Sequence, residues 1–181
     1  MENIIVNKDD IQKAVCSFNK GSAGEPDELL PQHLLDMTGE ALGQPAEALL
    51  NVLVNFYNLI VYPGEISTQI LPTFYGANLL ALDKPGGGIR PIAVGLTLRR
   101  LSGKATMPKM YDLCEKEFRP FQVGVGYPKD AEPIVHSIYL ENENTKDKSL
   151  LKIDFKNAFN CVRPDVILGP VKEKAQKSSI M

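Results

Sequence analysis

The chain has 181 residues, of which 44% are apolar and 23% are charged, a composition typical of a globular protein with a core of ordinary size. This composition excludes a collagen-like chain, a coiled coil and wholesale disorder. Cys16, Cys114 and Cys161 are widely separated and include no C-x-x-C pair, so neither a disulfide framework nor a zinc cluster is predicted.

The formal net charge of −2 conceals an uneven distribution of charge along the chain. Residues 1–83 carry 11 acidic and three basic side chains, whereas residues 84–109 carry six basic side chains and no acidic one. The six are Lys84, Arg90, Arg99, Arg100, Lys104 and Lys109. Such a segment is typical of a site for a phosphate-bearing partner, although a solvated positive surface explains the same pattern.

Neither a membrane span nor a secretory signal is predicted. The most apolar long stretch, Leu49 to Tyr62, contains three asparagines and is shorter than the ~20 residues that cross a bilayer. The first residues, Met1-Glu2-Asn3, are acidic and polar. We therefore expect an intracellular protein, nuclear or cytoplasmic, in a reducing compartment and without a membrane partner. The oligomeric state is not predicted.

The N-terminal part of the chain has helical periodicity. Four apolar residues recur at helical spacing after Asn7, which predicts an amphipathic helix capped by that asparagine. They are Ile11, Ala14, Val15 and Phe18. Pro31 is placed to begin a second, short helix. A third helix is predicted from about Pro45 to Val61, with three regularly spaced asparagines on a face in water. These are Asn51, Asn55 and Asn58.

A β-hairpin is predicted next. Two short apolar runs, Asn78–Leu82 and Arg90–Val94, flank the glycine-rich segment Lys84–Gly88. The hairpin therefore carries basic residues at its tip. Further helices are predicted over Leu96–Met107, stopping near Pro108, over Met110–Phe118 and over Ala131–Leu140. The polar run 141–148 is predicted as an exposed connection, Leu150–Phe155 as a strand, and Gly169-Pro170 as a helix break.

Asp154 stands at the end of this predicted strand, a position where α+β folds often hold a hard cation. Taken alone, a strand-end aspartate is more typical of a turn or a helix cap. Glu132 and His136 lie one helical turn apart, and we interpret them as a surface contact because no second carboxylate or cysteine lies near them in sequence. A phosphate-binding P-loop is excluded, since Leu98 occupies the position of its first glycine.

Four segments, in this order, resemble a reverse transcriptase, most closely those of non-LTR retrotransposons. They are Lys84–Ile92, Arg99–Lys104, Gln122–Gly126 and Leu151–Asn160. The upstream segments Gly21–Asp27 and Pro31–Leu34 resemble the fingers lead-in of the same group. The resemblance spans residues 7–168 and implies an α+β fold, a truncated right-hand polymerase. Residues 1–149 would form mostly helical fingers with the β-hairpin, and residues 150–181 the start of a palm with its first strand.

The resemblance also implies roles for single residues. Asp154 resembles the first catalytic aspartate, which, with the backbone carbonyl of Phe155, helps this family to hold two Mg²⁺ ions. Phe159 matches the aromatic position that excludes a ribose 2′-hydroxyl. Lys84 and Arg90 match the fingers residues that bind the incoming triphosphate, a role that suits cations beside a flexible glycine turn.

Two further segments have weaker implications. Gln122 lies in the segment that lines the template side of the nucleotide pocket, although the two glycines of that segment are explained equally well as turn residues. Arg99, Arg100 and Lys104 are predicted to contact a nucleic-acid backbone, and surface solvation explains them about as well. Their sequence spacing prevents all three from sharing one helix face.

The chain lacks a motif that this family needs, the downstream aromatic-x-Asp-Asp hairpin. It is absent from the 27 residues after Asp154, and the single Asp-Asp pair, Asp9-Asp10, lies at a predicted helix start. We therefore expect a truncated or degenerate RNA-directed DNA polymerase domain, inactive alone. In a complete enzyme it would bind an RNA or DNA template-primer and a dNTP, with Mg²⁺, for nucleotidyl transfer to the primer 3′-hydroxyl. The alternatives are a non-catalytic nucleic-acid-binding relic of a retroelement and an unstable fragment.

Overall fold

The computed structural model of the chain describes residues 4–24, 27–61, 67–118, 122, 131–144, 147, 149–155 and 161–178. It divides the chain into two compact units at the boundary between Leu113 and Cys114. Helices and one two-stranded antiparallel sheet make up the described structure, so the α+β class is confirmed.

The N-terminal unit begins with helix α1, Lys8–Cys16, and the predicted cap of this helix is confirmed. The side chain of Asn7 accepts a hydrogen bond from the Asp10 N–H at 2.9 Å. The Asp10 carboxylate in turn accepts one from the Asn7 N–H at 2.8 Å. This reciprocal pairing satisfies two backbone donors that a helix start leaves free, and it fixes where α1 begins.

The next helices follow the predicted order with small changes in their ends. Helix α2 is Pro31–Met37 and has the expected proline in its first turn. A 3₁₀ turn at Glu40–Leu42 leads into helix α3, Gln44–Val61. A short helix α4, Leu71–Tyr75, was not predicted and contributes the buried Phe74.

The core of this unit lies where α1, α2 and α3 meet helix α5, which spans Thr97–Phe118. Its buried members are Val6, Ile11, Ala14, Val15, Leu34, Leu53, Tyr57, Leu101 and Ala105. The Tyr57 hydroxyl, although buried, donates a hydrogen bond to the Leu98 carbonyl at 2.9 Å. Burial raises the pKa of Tyr57 well above its usual range, so the hydroxyl stays protonated and able to donate.

Asn58 departs from its predicted position in water. Its amide is partly buried and forms two hydrogen bonds with the backbone of Val6, accepting from the N–H at 2.9 Å and donating to the C=O at 3.0 Å. Asn51 and Asn55 are exposed, as predicted. Asn58 therefore ties the segment before α1 to the end of α3 by satisfying both backbone groups of a buried residue.

The predicted β-hairpin is confirmed as strands β1, Ala77–Asp83, and β2, Ile89–Gly95. The strands pair antiparallel, with Ala77 opposite Gly95 and Asp83 opposite Ile89. Lys84–Gly88 form the connecting turn, which lies outside both strands.

Helix α5 is continuous, so the predicted stop near Pro108 is wrong. A proline inside a helix removes one hydrogen bond, here that to the Lys104 carbonyl, and crowds that carbonyl. Pro108 and Lys104 are both exposed, which leaves the freed carbonyl on the solvent side of the helix. The packing of buried Leu101 and Ala105 into the core offsets the loss.

In the second unit, helix α6 spans Ala131–Asn144 and helix α7 spans Pro164–Ser178. Part of the predicted polar connection, residues 141–144, thus belongs to α6. The predicted helix break at Gly169-Pro170 is also wrong, since Pro170 lies inside α7. Every residue of α7 from 164 to 173 is exposed, so water is available to the carbonyl that loses its partner.

The predicted strand Leu150–Phe155 is wrong as well, because these residues adopt no regular secondary structure. A strand requires a neighbour for its backbone hydrogen bonds, and the described residues contain only the β1–β2 pair. All six side chains are exposed; the exposed fraction of Phe155, for example, is 73%. An apolar pattern of period two was therefore insufficient to form a strand here.

We predict that Asn58→Ala lowers the free energy of unfolding of the chain by about 2 kcal/mol, because both backbone groups of buried Val6 lose their partner. Asn58→Asp should destabilise at pH 7 as well, since a carboxylate accepts from the Val6 N–H but repels its carbonyl. The matched control is Asn55→Ala on the exposed face of α3. Urea unfolding measures all three changes. An Asn58→Ala variant as stable as the control would contradict this role.

Candidate nucleic-acid interface

The turn of the hairpin is built around three glycines with backbone angles that side chains disfavour. Gly86, Gly87 and Gly88 have φ values of 95°, 95° and 94°. The turn is closed by hydrogen bonds from the Lys84 N–H to the Gly88 carbonyl at 2.9 Å and from the Gly87 N–H to the Lys84 carbonyl at 3.0 Å. A substrate group is thus able to approach this backbone without meeting a side chain.

Two basic side chains flank this turn. Lys84 begins it, and Arg90 is the second residue of β2, opposite Leu82. Both are exposed, and neither forms an ion pair or a side-chain hydrogen bond with any other residue that the structure describes. Their charges are therefore available to an anionic ligand.

Arg99 is engaged with the end of α4. Its guanidinium donates a hydrogen bond to the Tyr75 carbonyl at 3.1 Å and lies 5.3 Å from the centroid of the Tyr75 ring. These contacts join the first turn of α5 to the segment that precedes the hairpin. A structural role is sufficient to explain Arg99.

Arg100 and Lys104 lie together over the ring of Phe18. The guanidinium carbon of Arg100 is 5.5 Å and the Lys104 Nζ is 4.9 Å from the ring centroid. Arg100 also donates hydrogen bonds to the Ala23 carbonyl and, at 3.0 Å, to the Thr97 hydroxyl. Part of the predicted basic set thus shares one surface, and Arg99 lies on another, as its sequence spacing predicted.

Lys104 caps the C-terminal end of α1. Its Nζ donates to the carbonyl and to the hydroxyl of Ser17, each at 3.1 Å. A cation at this position satisfies a terminal carbonyl and interacts favourably with the helix dipole. The ammonium nevertheless remains exposed to solvent.

Beside these cations lies a groove between α1, the segment that follows it and α5. Its volume is about 840 Å³. Lys13, Phe18, Arg100, Lys104 and Tyr111 are among its lining residues. Sequence reasoning missed Lys13 and Tyr111 as candidate residues. Tyr111 lies seven residues after Lys104 on α5, a spacing that places both residues on one side of the helix and could have identified Tyr111. No such spacing links Lys13 to a residue that was singled out.

One carboxylate, that of Asp10, also lines the groove, and it pairs with the Lys109 ammonium at 2.8 Å. Burial disfavours ionisation of this carboxyl. Hydrogen bonds from Lys109 and from the Asn7 backbone, with the nearby charge of Lys13, outweigh burial and lower the pKa of Asp10. Asp10 is therefore ionised at neutral pH, with its charge largely matched by Lys109.

The predicted catalytic residue, Asp154, and three of the residues predicted to bind nucleotide fall in the other unit. Asp154 and Phe155 are exposed. Gln122 is exposed too, and its backbone N–H donates to the Phe118 carbonyl at 2.9 Å. Phe159 lies outside the described residues. Lys84 and Arg90 belong to the N-terminal unit.

The described residues do not by themselves fit a magnesium centre. Among them, no three or more His, Cys, Asp or Glu side chains form a group able to hold a metal ion, so Asp154 belongs to no such group. A single carboxylate does not hold two divalent ions. The magnesium site remains a prediction from the resemblance.

Within the described ranges, no helix combines the length and the apolar character needed to cross a bilayer.

Comparisons with protein-family models, curated protein sequences and solved structures found no match to this chain. A function for this chain is therefore inferred from its own residues and from the resemblance of its segments.

We predict that Asp10→Asn destabilises the chain at pH 7 by about 1 kcal/mol, because the ion pair with Lys109 is lost. A lowered pKa means that ionised Asp10 stabilises the fold above pH 4, and that this contribution disappears as the pH falls through the pKa of the folded state. The stability difference between the variant and the parent should therefore vanish near pH 2.

The control for this prediction is Asp9→Asn in the same helix turn, because Asp9 is exposed and forms no ion pair with any residue that the structure describes. Its effect should be smaller at every pH. Unfolding measured by urea at pH 2, 4 and 7 compares the two variants. An Asp10→Asn effect that is equal at pH 2 and pH 7 would contradict the assignment.

Proposed function

We propose that this chain is the fingers region and the start of the palm of an RNA-directed DNA polymerase, and that its N-terminal unit binds nucleic acid and nucleoside triphosphate. The proposal starts from the four ordered segments that resemble reverse transcriptases. One structural observation supports it most, the glycine turn flanked by the exposed cations Lys84 and Arg90.

The chemistry of this turn suits a triphosphate. Exposed Lys and Arg side chains form short, charge-assisted hydrogen bonds with phosphate oxygens. The φ values near 95° favour glycine at positions 86 to 88, and glycine has no side chain that would hold a phosphate away from the backbone. The adjacent carboxylate, Asp83, forms no ion pair with either cation among the described residues, so it does not neutralise them.

In this proposal Asp154 is the first of the carboxylates that would bind Mg²⁺, and the backbone carbonyl of Phe155 is a further oxygen ligand. The other carboxylates are not found in this chain, since no aromatic-x-Asp-Asp motif follows Asp154. We therefore assign binding and positioning of template-primer and dNTP to the residues of this chain, and nucleotidyl transfer to these residues acting together with the further carboxylates.

A second candidate function is a non-catalytic nucleic-acid-binding module. It is favoured by the concentration of six cations and no acidic residue in residues 84–109. The two candidates share the binding surface and differ in whether a completed protein extends a primer.

Binding of a labelled primer-template to the chain tests the nucleic-acid-binding surface that the two candidate functions share. We predict that Lys84→Ala and Arg90→Ala each weaken binding and each reduce the slope of log K against log salt by about one. Lys172→Ala on α7, which removes one exposed charge elsewhere, should change neither quantity. Fluorescence anisotropy at several salt concentrations measures both. Loss in the control equal to that in the hairpin variants would count against a hairpin site.

Primer extension separates the two candidates. The chain is joined to the downstream half of a related polymerase that contains the aromatic-x-Asp-Asp hairpin, and DNA synthesis is measured with Mg²⁺. We predict synthesis that Asp154→Asn reduces at least a hundredfold, because removal of a metal-binding carboxylate raises the barrier by about 3 kcal/mol or more. Undiminished synthesis by Asp154→Asn would remove this residue from the catalytic site, and absence of synthesis would favour the non-catalytic module.

A further inference from the structure

The groove beside Phe18 is lined by cations and an exposed aromatic ring that are not part of the proposed hairpin site. It is formed by the second half of α1, the segment that follows α1, and the middle of α5, all within the N-terminal unit. Its volume of about 840 Å³ lies in the range of small-molecule and cofactor sites.

The groove carries an excess of positive charge. Among the residues that the structure describes, Lys13, Arg100 and Lys104 line it, and Asp10 is the one carboxylate in the lining. That carboxylate already has a partner in Lys109, at 2.8 Å. An anionic ligand would therefore meet a net positive charge in the groove.

Lys13 is the most available of these cations. It is exposed, and it forms no hydrogen bond or ion pair through its side chain with any described residue. Lys104 is held in place by Ser17 and by the Phe18 ring, so its ammonium is fixed before a ligand arrives. One exposed cation on α1 and one fixed cation on α5 are suited to a phosphate backbone, which presents several anionic groups in succession.

The groove also offers an aromatic surface. Tyr111 lines it and is 43% exposed. Tyr111 and Lys104 are seven residues apart on α5, so they lie on the same side of the helix and about 10 Å apart along its axis. Cations combined with an exposed ring are the features with which proteins bind single-stranded nucleic acid, through phosphate contacts and base stacking.

We propose that this groove binds a single-stranded segment of RNA or DNA, with phosphates at Lys13 and Lys104 and a base stacked on Tyr111. This inference deepens the proposed nucleic-acid binding and rests on it for the class of ligand. It adds a second contact surface, formed by residues outside the hairpin. An acidic peptide would satisfy the cations but would leave the exposed ring of Tyr111 without a planar partner.

The experiment measures anisotropy of a fluorescein-labelled, single-stranded 12-nucleotide RNA with the full chain at low salt. Tyr111→Leu should weaken binding about fivefold or more, since stacking of a base on an aromatic side chain contributes about 1–3 kcal/mol. Tyr111→Phe keeps the ring and should bind like the parent. Lys13→Ala should weaken binding and reduce the salt slope by about 0.7.

The chain offers a matched control for each change. Lys8→Ala removes a lysine from the same helix but outside the groove, where it pairs with Glu47 at 3.7 Å. Tyr139→Leu removes a tyrosine that is 64% exposed on α6. Both should leave binding unchanged. Circular dichroism melting verifies that every variant folds, which the exposure of Lys13 and Tyr111 favours.

The proposal is overturned if Tyr111→Leu or Lys13→Ala binds as tightly as its control, or if a hexaglutamate peptide displaces the RNA as well as unlabelled RNA does. The same measurements distinguish a result that refutes the hairpin site from one that refutes the groove. Unchanged binding by Lys84→Ala and Arg90→Ala, with losses in the two groove variants, would support the groove and refute the hairpin site. The opposite pattern would refute the groove alone.

Discussion

The packing of helix α5 against the N-terminal helices is the constraint on which the rest of this unit depends. Leu101 and Ala105, one turn apart on α5, are buried in the core, with exposed fractions of 0% and 2%. The Tyr57 hydroxyl holds the Leu98 carbonyl in the same interface at 2.9 Å. Because α5 carries three of the predicted nucleic-acid contacts, the core determines where these cations lie.

The cations of α5 also form contacts within the fold, and these contacts determine how freely each side chain can bind a ligand. Arg100 and Lys104 bind carbonyls at the end of α1 and beyond it, and both lie over Phe18. Such contacts fix long, flexible side chains before binding, which lowers the entropic cost of ordering them around a ligand. Lys84, Arg90 and Lys13 have no such contacts among the described residues, so ordering them around a ligand costs more side-chain entropy.

The sequence allowed prediction of those features that depend on residues close together in the chain. The Asn7 cap with Asp10, the start of α2 at Pro31 and the glycine turn of the hairpin are all set by local conformational preference. The prediction that a proline ends a helix was wrong at two positions. Pro108 and Pro170 both lie inside helices. The free energy lost with one backbone hydrogen bond at an exposed position is smaller than the stabilisation from the remaining hydrogen bonds and contacts of the helix.

Features that depend on distant residues were not predictable in this way. The groove lies between α1, the segment that follows it and α5, and Lys104 joins these elements by reaching Ser17, 87 residues away in sequence. The pairing of Asn58 with Val6 spans 52 residues and changed an expected surface asparagine into a structural one. The predicted strand at 150–155 failed for the same reason, since strand formation depends on a neighbour that no local pattern specifies. Asp154 as a metal ligand stays a prediction.

Hydrogen–deuterium exchange of the full chain, with and without a primer-template that has a single-stranded overhang, tests nucleic-acid binding by the N-terminal unit most directly. We predict slower amide exchange in the hairpin, around residues 83–90, and beside the groove, around residues 17–22, when the nucleic acid is added. Unchanged exchange in both segments at a saturating concentration of nucleic acid would contradict the proposed binding surface.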